Sequence, residues 1–179
     1  MPSKIAILWT VLAIACWVMP VDAAMTDRDK AELATAVSGA KVTLEQGLKA
    51  SQTNGKPVSA KFEIESGKPQ LSVYTVQDAT KYFEVIVDHT SGTIAKVVPI
   101  TGGDDLTAAK QQSAGLFRAT RDLREAVREA KHDNPGYLAV SAWPEMKDGH
   151  SMANVVLFKD GDWRTVVIDL TVYRVPLKD

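Results

Sequence analysis

A helical segment and a strand segment each occur twice in this 179-residue chain, in the same order and nearly the same register. Leu44-Glu45-Gln46-Gly47-Leu48 returns 79 residues later as Leu123-Arg124-Glu125-Ala126-Val127. Tyr82-Phe83-Glu84-Val85-Ile86-Val87-Asp88 returns 81 residues later as Trp163-Arg164-Thr165-Val166-Val167-Ile168-Asp169. Repetition carried by two different kinds of element restricts the fold more than composition does, because each copy must form the same supersecondary unit. Two tandem units are therefore expected.

Ahead of the repeat stands an export signal. Lys4 is followed by 15 apolar or small residues, Ile5 to Met19, and then by Val21-Asp22-Ala23, which offers a cleavage site before Ala24. The run is shorter than the roughly 20 residues a membrane-spanning helix needs. Leu12-Ala13-Ile14-Ala15-Cys16 is also similar to a bacterial lipobox, with Ala13 where leucine is usual and bulky Trp17 after the cysteine. That alternative would tether the chain to a membrane through Cys16. Residues 1–23 are read as the signal peptide, and the mature chain as periplasmic or secreted.

Cleavage before Ala24 leaves 156 residues without cysteine. Disulfides, thiolate catalysis and cysteine-held metals are then excluded. A chain of about 150 residues buries roughly 70% of its unfolded surface, enough to stand on a core alone. Without Lys4 and Asp22 there remain 20 basic and 21 acidic residues. Nucleic-acid binding would call for a basic excess, so no nucleic-acid partner is expected.

Helix and strand periods alternate along the mature chain. Thr26-Asp27 precedes a short helix that ends near Gly39, and Thr43-Leu44-Glu45-Gln46 has the form of a capping box. From Pro57 the period drops to two: Val58, Ala60, Phe62 and Ile64 alternate with polar residues. Turn signals at 66–69, 78–80 and 91–92 divide residues 58–98 into up to four sequential antiparallel strands. Thr101-Gly102-Gly103-Asp104-Asp105 marks a boundary. Beyond it a helix from Leu106 to Ala119 and a second capping box, Asp122-Leu123-Arg124-Glu125, lead to strands over 137–143, 152–158, 163–170 and 171–175. The expected fold is α+β: two helix-helix-antiparallel-sheet units (ααββββ-like), at 24–100 and 104–179, with the helices packed on one face of the sheet.

The helix Leu44-Glu45-Gln46-Gly47-Leu48-Lys49-Ala50, the strand Val58 to Ile64, and above all the strand ending Val87-Asp88-His89-Thr90-Ser91-Gly92 resemble the PepSY domain. Residues 43–98 carry the resemblance well. Residues 122–172 look like a degraded second copy, because Ile168-Asp169 is followed by Leu170-Thr171-Val172 without the Thr-Gly turn. The resemblance implies an exported, non-catalytic module that binds peptides or restrains peptidases. The doubled plan is also similar in architecture to the β-lactamase inhibitory proteins, and fold alone does not fix function.

Candidate chemistry is sparse. His89, His132 and His150 show no metal-ligand spacing and sit beside turn residues, although His132-Asp133 could approach His150 in space. Asp88 and Asp169 end equivalent strands, where aspartate commonly starts a turn by bonding its own backbone; a paired-carboxylate site is the sharper alternative. Arg118, Arg121, Arg124, Arg128 and Lys131 recur at helical spacing, interleaved with Glu125 and Glu129, as a solvated ion-paired face would. No catalytic residue, metal site or cofactor is assigned.

Aromatic residues point to partner binding. Strand alternation puts Tyr82 and Trp163 on the face opposite the helices, and tryptophan and tyrosine dominate interface hot spots. Arg164 in the inward position of Phe83 is a misfit of that register. Residues 144–151 are expected to be the longest hairpin loop, presenting Met146 and His150. The candidate partner-binding residues are Tyr82, Trp143, Phe158, Trp163, Met146 and His150. The expected partner is another exported protein or peptide, with membrane contact only if Cys16 is lipidated. The alternatives are a small exported metal-dependent enzyme using the histidines and carboxylates, or a structural subunit of an envelope complex.

Overall fold

The computed structural model describes residues 26–172, so the signal peptide expected at 1–23, Cys16 and most of the strand expected at 171–175 lie outside the described residues. Local chemistry sets the helix starts. In α1 (Asp27–Gly39), α2 (Leu44–Ser51) and α4 (Leu123–Asp133), the side chain of the preceding Thr26, Thr43 or Asp122 accepts from the third helical N–H, and the residue there reciprocates. Three capping boxes thus fix three N-termini. The exception is α3 (Gly103–Gly115): Gly102 precedes it without a side-chain cap, and Asp104 and Asp105 lie in its first turn. Leu116 to Asp122 then separates α3 from α4.

The strands are β1 (Lys56–Glu65), β2 (Lys68–Gln77), β3 (Lys81–Val87), β4 (Ile94–Ile100), β5 (Leu138–Lys147), β6 (His150–Lys159) and β7 (Asp162–Asp169). Among the described residues they form one sheet in the order β4-β3-β2-β1-β5-β6-β7, each neighbouring pair antiparallel. The two halves therefore share a sheet instead of each closing its own. Their seam is short, pairing Ala60 with Ala142 and Lys61 with Ser141. Register shifts interrupt β1 between Pro57 and Ser59, and β5 between Ala139 and Ser141. The residues skipped, Val58 and Val140, are 82 positions apart and both fully buried.

Helices cover both faces, contrary to the one-sided packing expected from sequence. Gly47 of α2 lies against the Leu71 side chain, and Thr75 donates to the Asn54 carbonyl at 2.8 Å, which places α2 on the Leu71-Val73-Thr75 face. There α4 runs beside it, tied by Lys131 to Glu45 at 2.8 Å. On the other face, Gln112 of α3 accepts from the Ser59 hydroxyl at 2.6 Å, and Ser59 stands opposite Tyr74. With α2 and α4 already over the seam on one side, α1, which packs on β1 and β5, shares the face of α3. The difference has a physical cause: Ser59 and Ser141, buried at the seam, sit on the face that alternation reads as wet, and only a second helical layer keeps water from them.

The core is continuous through both halves, from Leu44, Leu48, Leu71 and Val85 to Leu123, Val127, Leu157 and Leu170. One element expected as a loop is strand. β5 runs on to Lys147 and β6 begins at His150, leaving only Asp148 and Gly149 between them, at φ 50° and 81°. An Asp-Gly pair with both φ positive is the tightest hairpin turn, and it extends the ladder back to Glu145 and Met152. Pro144 is tolerated because β5 has by then run past its pairing with β1.

Candidate functional site

Three separate segments of chain meet at the β5–β6 turn. Ser151, opposite Met146, accepts the Arg118 N–H on its hydroxyl at 3.0 Å and the Leu170 N–H on its carbonyl at 2.7 Å. The Leu170 carbonyl accepts from the Thr120 N–H at 2.8 Å, and the Arg118 guanidinium donates to the Gly149 carbonyl at 3.3 Å. The α3–α4 connection, the turn and the end of β7 are thus laced together. Three apolar side chains emerge around this lacing: Phe117, 84% exposed, Met146, 43%, and Val172, 47%.

His150 and Asp169 complete the rim. The Asp169 carboxylate accepts from the Thr171 N–H at 2.7 Å and from its hydroxyl, and approaches His150 Nδ1 at 3.1 Å. The hydroxyl and amide of Thr171, with a smaller part from His150, hold the Asp169 carboxyl below its usual range. In the other half, the Ser91 and Thr90 amides do the same for Asp88, at 2.7 and 2.8 Å. Both aspartates therefore act as turn formers. Five strand spacings, roughly 24 Å, separate β3 from β7, so the two carboxylates form no paired site.

The same spacing separates Tyr82 from Trp163, and the joint aromatic platform expected from sequence does not form. Tyr82 is buried, as is Phe158, whose ring meets that of Trp163 at 4.7 Å. Trp143 is half-buried, opposite Asn154. Of the six sequence candidates, Met146 and His150 belong to the hairpin end, Trp143 lies part-way along β5 towards it, and Phe158 and Trp163 stand at the far end of β6 and β7. There Tyr137 donates to Asp162, beneath the Lys159 and Arg164 cations. That bond to Asp162 raises the Tyr137 hydroxyl and lowers the Asp162 carboxyl.

The histidines occupy three separate places. His89 accepts the Lys41 and Val42 amides on its carbonyl, His132 pairs with Asp133 at 3.0 Å, and His150 is on the rim. His132 and His150 do not approach, because α4 spans about 16 Å between the rim end and His132. Among the described residues no group of three histidine, cysteine, aspartate or glutamate side chains could hold a metal ion, and no helix is long and apolar enough to cross a membrane. The basic series does not form one stripe. Arg118 serves the turn, Arg121 bonds Glu129 in a nearly buried pair, and Lys131 crosses to Glu45.

No family model matches the chain, and no curated protein matches it. Among solved structures, the chain is similar to a protein of Clostridium difficile 630 described as a candidate lipoprotein. The identity is 13%, over 78% of this chain and 92% of that one, at a TM-score of 0.41. So loose an overlap carries no argument about what the chain does.

Phe117 is the residue that sequence reasoning passes over. Read inside a helix extending to Ala119, it has no reason to stand out. The signal is Gly115, the last residue of α3, which runs so close to the Pro144 and Glu145 backbone that a Cβ there would stand 3.0 Å from the Pro144 carbonyl. Leu116 then turns in to the core and Phe117 turns out.

Proposed function

We propose that the chain is an exported, non-catalytic module of PepSY type that binds another exported protein or peptide, acting by occlusion and in one form restraining a peptidase. The observation that carries this reading is the rim at the β5–β6 turn. A phenylalanine 84% exposed, flanked by Met146 and Val172, is costly in water and is what a docking anchor requires. Arg118 and His150 supply a polar border.

Export rests on the pattern from Lys4 to Ala23. The PepSY reading draws support from the turn in which Asp88 accepts two amides and Gly92 adopts φ 77°, since this gives the Val-Asp-x-x-Ser-Gly ending a structural job. We read the halves as two copies of one helix-helix-strand unit, docked through β1 and β5. Matched caps at Thr43 and Asp122 and matched register shifts at Val58 and Val140 favour it.

The test is capture by the immobilised protein from an extract of its own compartment. Retention of one polypeptide at near 1:1, lost in Phe117→Ser and Met146→Ser variants of unchanged thermal midpoint, is expected. No retained polypeptide, or retention indifferent to both substitutions, overturns the reading. So does tightly bound metal at one equivalent.

A further inference from the structure

A second feature lies away from the rim, where the halves meet on the α2–α4 face. A cleft of about 380 Å³ is lined from one half by Leu48, Gln52, Gly55, Lys56 and Pro57, and from the other by Asp122, Leu123 and Arg124. Leu48 and Leu123, each 1% exposed, close its floor, and half-buried Pro57 supplies apolar wall above them. Its walls carry two cations and one carboxylate. That carboxylate, Asp122, is committed to the α4 cap, where it accepts the Glu125 N–H at 2.8 Å.

Among the described residues neither cation has an ion-pair or hydrogen-bond partner. Every other arginine described pairs or hydrogen-bonds: Arg28 with Glu32, Arg118 with the Gly149 carbonyl, Arg121 with Glu129, Arg164 with Asp162, and Arg128 with a partner of its own. Arg124 makes no such bond, and its Nε–H is buried with no acceptor. A buried donor left unpaired is costly, and native chains rarely tolerate one without a use. Lys56, on the opposite wall, likewise forms no ion pair among the described residues, since Asp122 is taken up by the α4 cap.

An arginine fork and a lysine above an apolar floor match a carboxylate joined to a short apolar group. We propose that this cleft binds the C-terminal carboxylate of a peptide ending in an aliphatic residue. Arg124 and Lys56 would hold the carboxylate, with Pro57 beside the last side chain and Leu48 and Leu123 closing the floor beneath it. The volume suits a ligand of one or two residues, at the small end of the range for ligand pockets. The proposal does not depend on the rim binding anything.

The probes are N-acetyl-alanyl-leucine, its C-terminal carboxamide and inorganic phosphate, titrated into the isotope-labelled protein and followed by amide chemical shifts. Expected are saturable shifts at Leu48, Gly55, Leu123 and Arg124 with the free acid. Binding should be about tenfold weaker or worse for the carboxamide and for Arg124→Gln, since each removes a charge-assisted contact. The Lys56→Met variant should weaken the acid while leaving the carboxamide unchanged, and an unaltered amide spectrum elsewhere shows that the variants fold. Equal affinity for acid and carboxamide overturns the proposal. So do phosphate binding as tight as the acid, and shifts that are absent or scattered over the surface. Capture at the rim that survives Arg124→Gln would leave the partner reading intact while this one fails.

Discussion

In residues 26–100 the strand β3 is flanked by β4, and the turn joining them closes on Asp88 with two amide bonds and a left-handed Gly92. In residues 103–172 the corresponding strand, β7, ends at Asp169, whose carboxylate closes a shorter turn on Thr171 and reaches His150. The interiors differ far less. Leu44 and Leu123 follow their caps and are each 1% exposed, and Val58 and Val140 bulge at the same point of the seam. Of the exposed large hydrophobic side chains among the described residues, only Val97 belongs to the first half; Phe117, Leu138, Met146, Val167 and Val172 belong to the second. Packing constrains both interiors closely, while the surface is free to differ.

The most damaging test of this equivalence is Leu44→Ala beside Leu123→Ala. Each removes a fully buried side chain under its own capping box, and each should cost about 2–5 kcal/mol in urea denaturation. If the halves do the same work in one core, the two costs agree within about 1 kcal/mol and the unfolding stays a single transition. Two transitions, or one substitution without effect, would break the comparison.

A smaller effect examines how the halves fill the same space differently. Gly47 of α2 sits under Leu71, and a Cβ there would stand 2.6 Å from Leu71 Cδ2. Their counterparts are Ala126, 79 residues on, and Ala153, which pairs with Ile168 of β7 as Leu71 pairs with Val87 of β3; both are fully buried. One half uses glycine and leucine where the other uses two alanines. Gly47→Ala gains roughly 1 kcal/mol of helix propensity but overpacks a rigid contact, at a cost of about 1–3 kcal/mol. Net destabilisation near 1 kcal/mol is expected. Adding Leu71→Ala recreates the alanine pair, so the double variant should lose less than the sum of the singles by at least about 0.5 kcal/mol. Strict additivity would mean that the two positions do not share the space.

The caps come next. Thr43→Ala and Asp122→Ala should each cost about 1 kcal/mol. Asp122→Ala should also remove the only carboxylate from the inter-half cleft, so it is expected to tighten acetyl-alanyl-leucine while Thr43→Ala leaves it alone. Equal effects on the peptide would place the binding elsewhere.

Local chemistry was legible in the sequence, and neighbourhood was not. Caps at Thr43 and Asp122, the strand alternation from Val58 to Ile64 and the turn aspartates Asp88 and Asp169 depend on residues within a few positions, so spacing alone reveals them. Strand order is set by which hydrophobic edges meet. The pairing of β1 with β5, across 80 and 82 residues, carries no local mark, and the distance between Tyr82 and Trp163 and the second helical layer both follow from it. Residues 144–151 read as a loop from their proline and charges, whereas the two-residue Asp148-Gly149 turn pairs them as strand. Arg124 was legible as a helical cation, but that it lacks the acidic partner its neighbours have is a fact of tertiary structure alone.

The finest distinction between the halves is a titration. Glu84 is half-buried on the α3 side of the sheet, accepting from Ser72 at 2.8 Å and near Gln70, with Glu63, Lys61 and Asp105 as the charges around it. Burial, helped by Glu63 and Asp105, pushes its carboxyl above the ordinary 4.5, against the Ser72 bond and Lys61, which pull it down. A raised carboxyl keeps its proton longer in the native state than in the unfolded chain. Its contribution is complete below the unfolded value and is lost as pH rises through the native one. The counterpart of Glu84 is Thr165, which cannot titrate. Glu84→Gln, which preserves the acceptor for Ser72, should therefore gain stability over the parent as pH rises from about 4.5 towards neutrality, with little difference in acid. Asp169→Asn should behave oppositely: the lowered carboxyl contributes above its unfolded value and loses that contribution as pH falls, so the variant is the weaker protein at neutral pH and converges with the parent in acid. Denaturant midpoints at several pH values read both slopes, and slopes of the same sign would show that the buried carboxylate of the first half is no different from the turn carboxylate of the second.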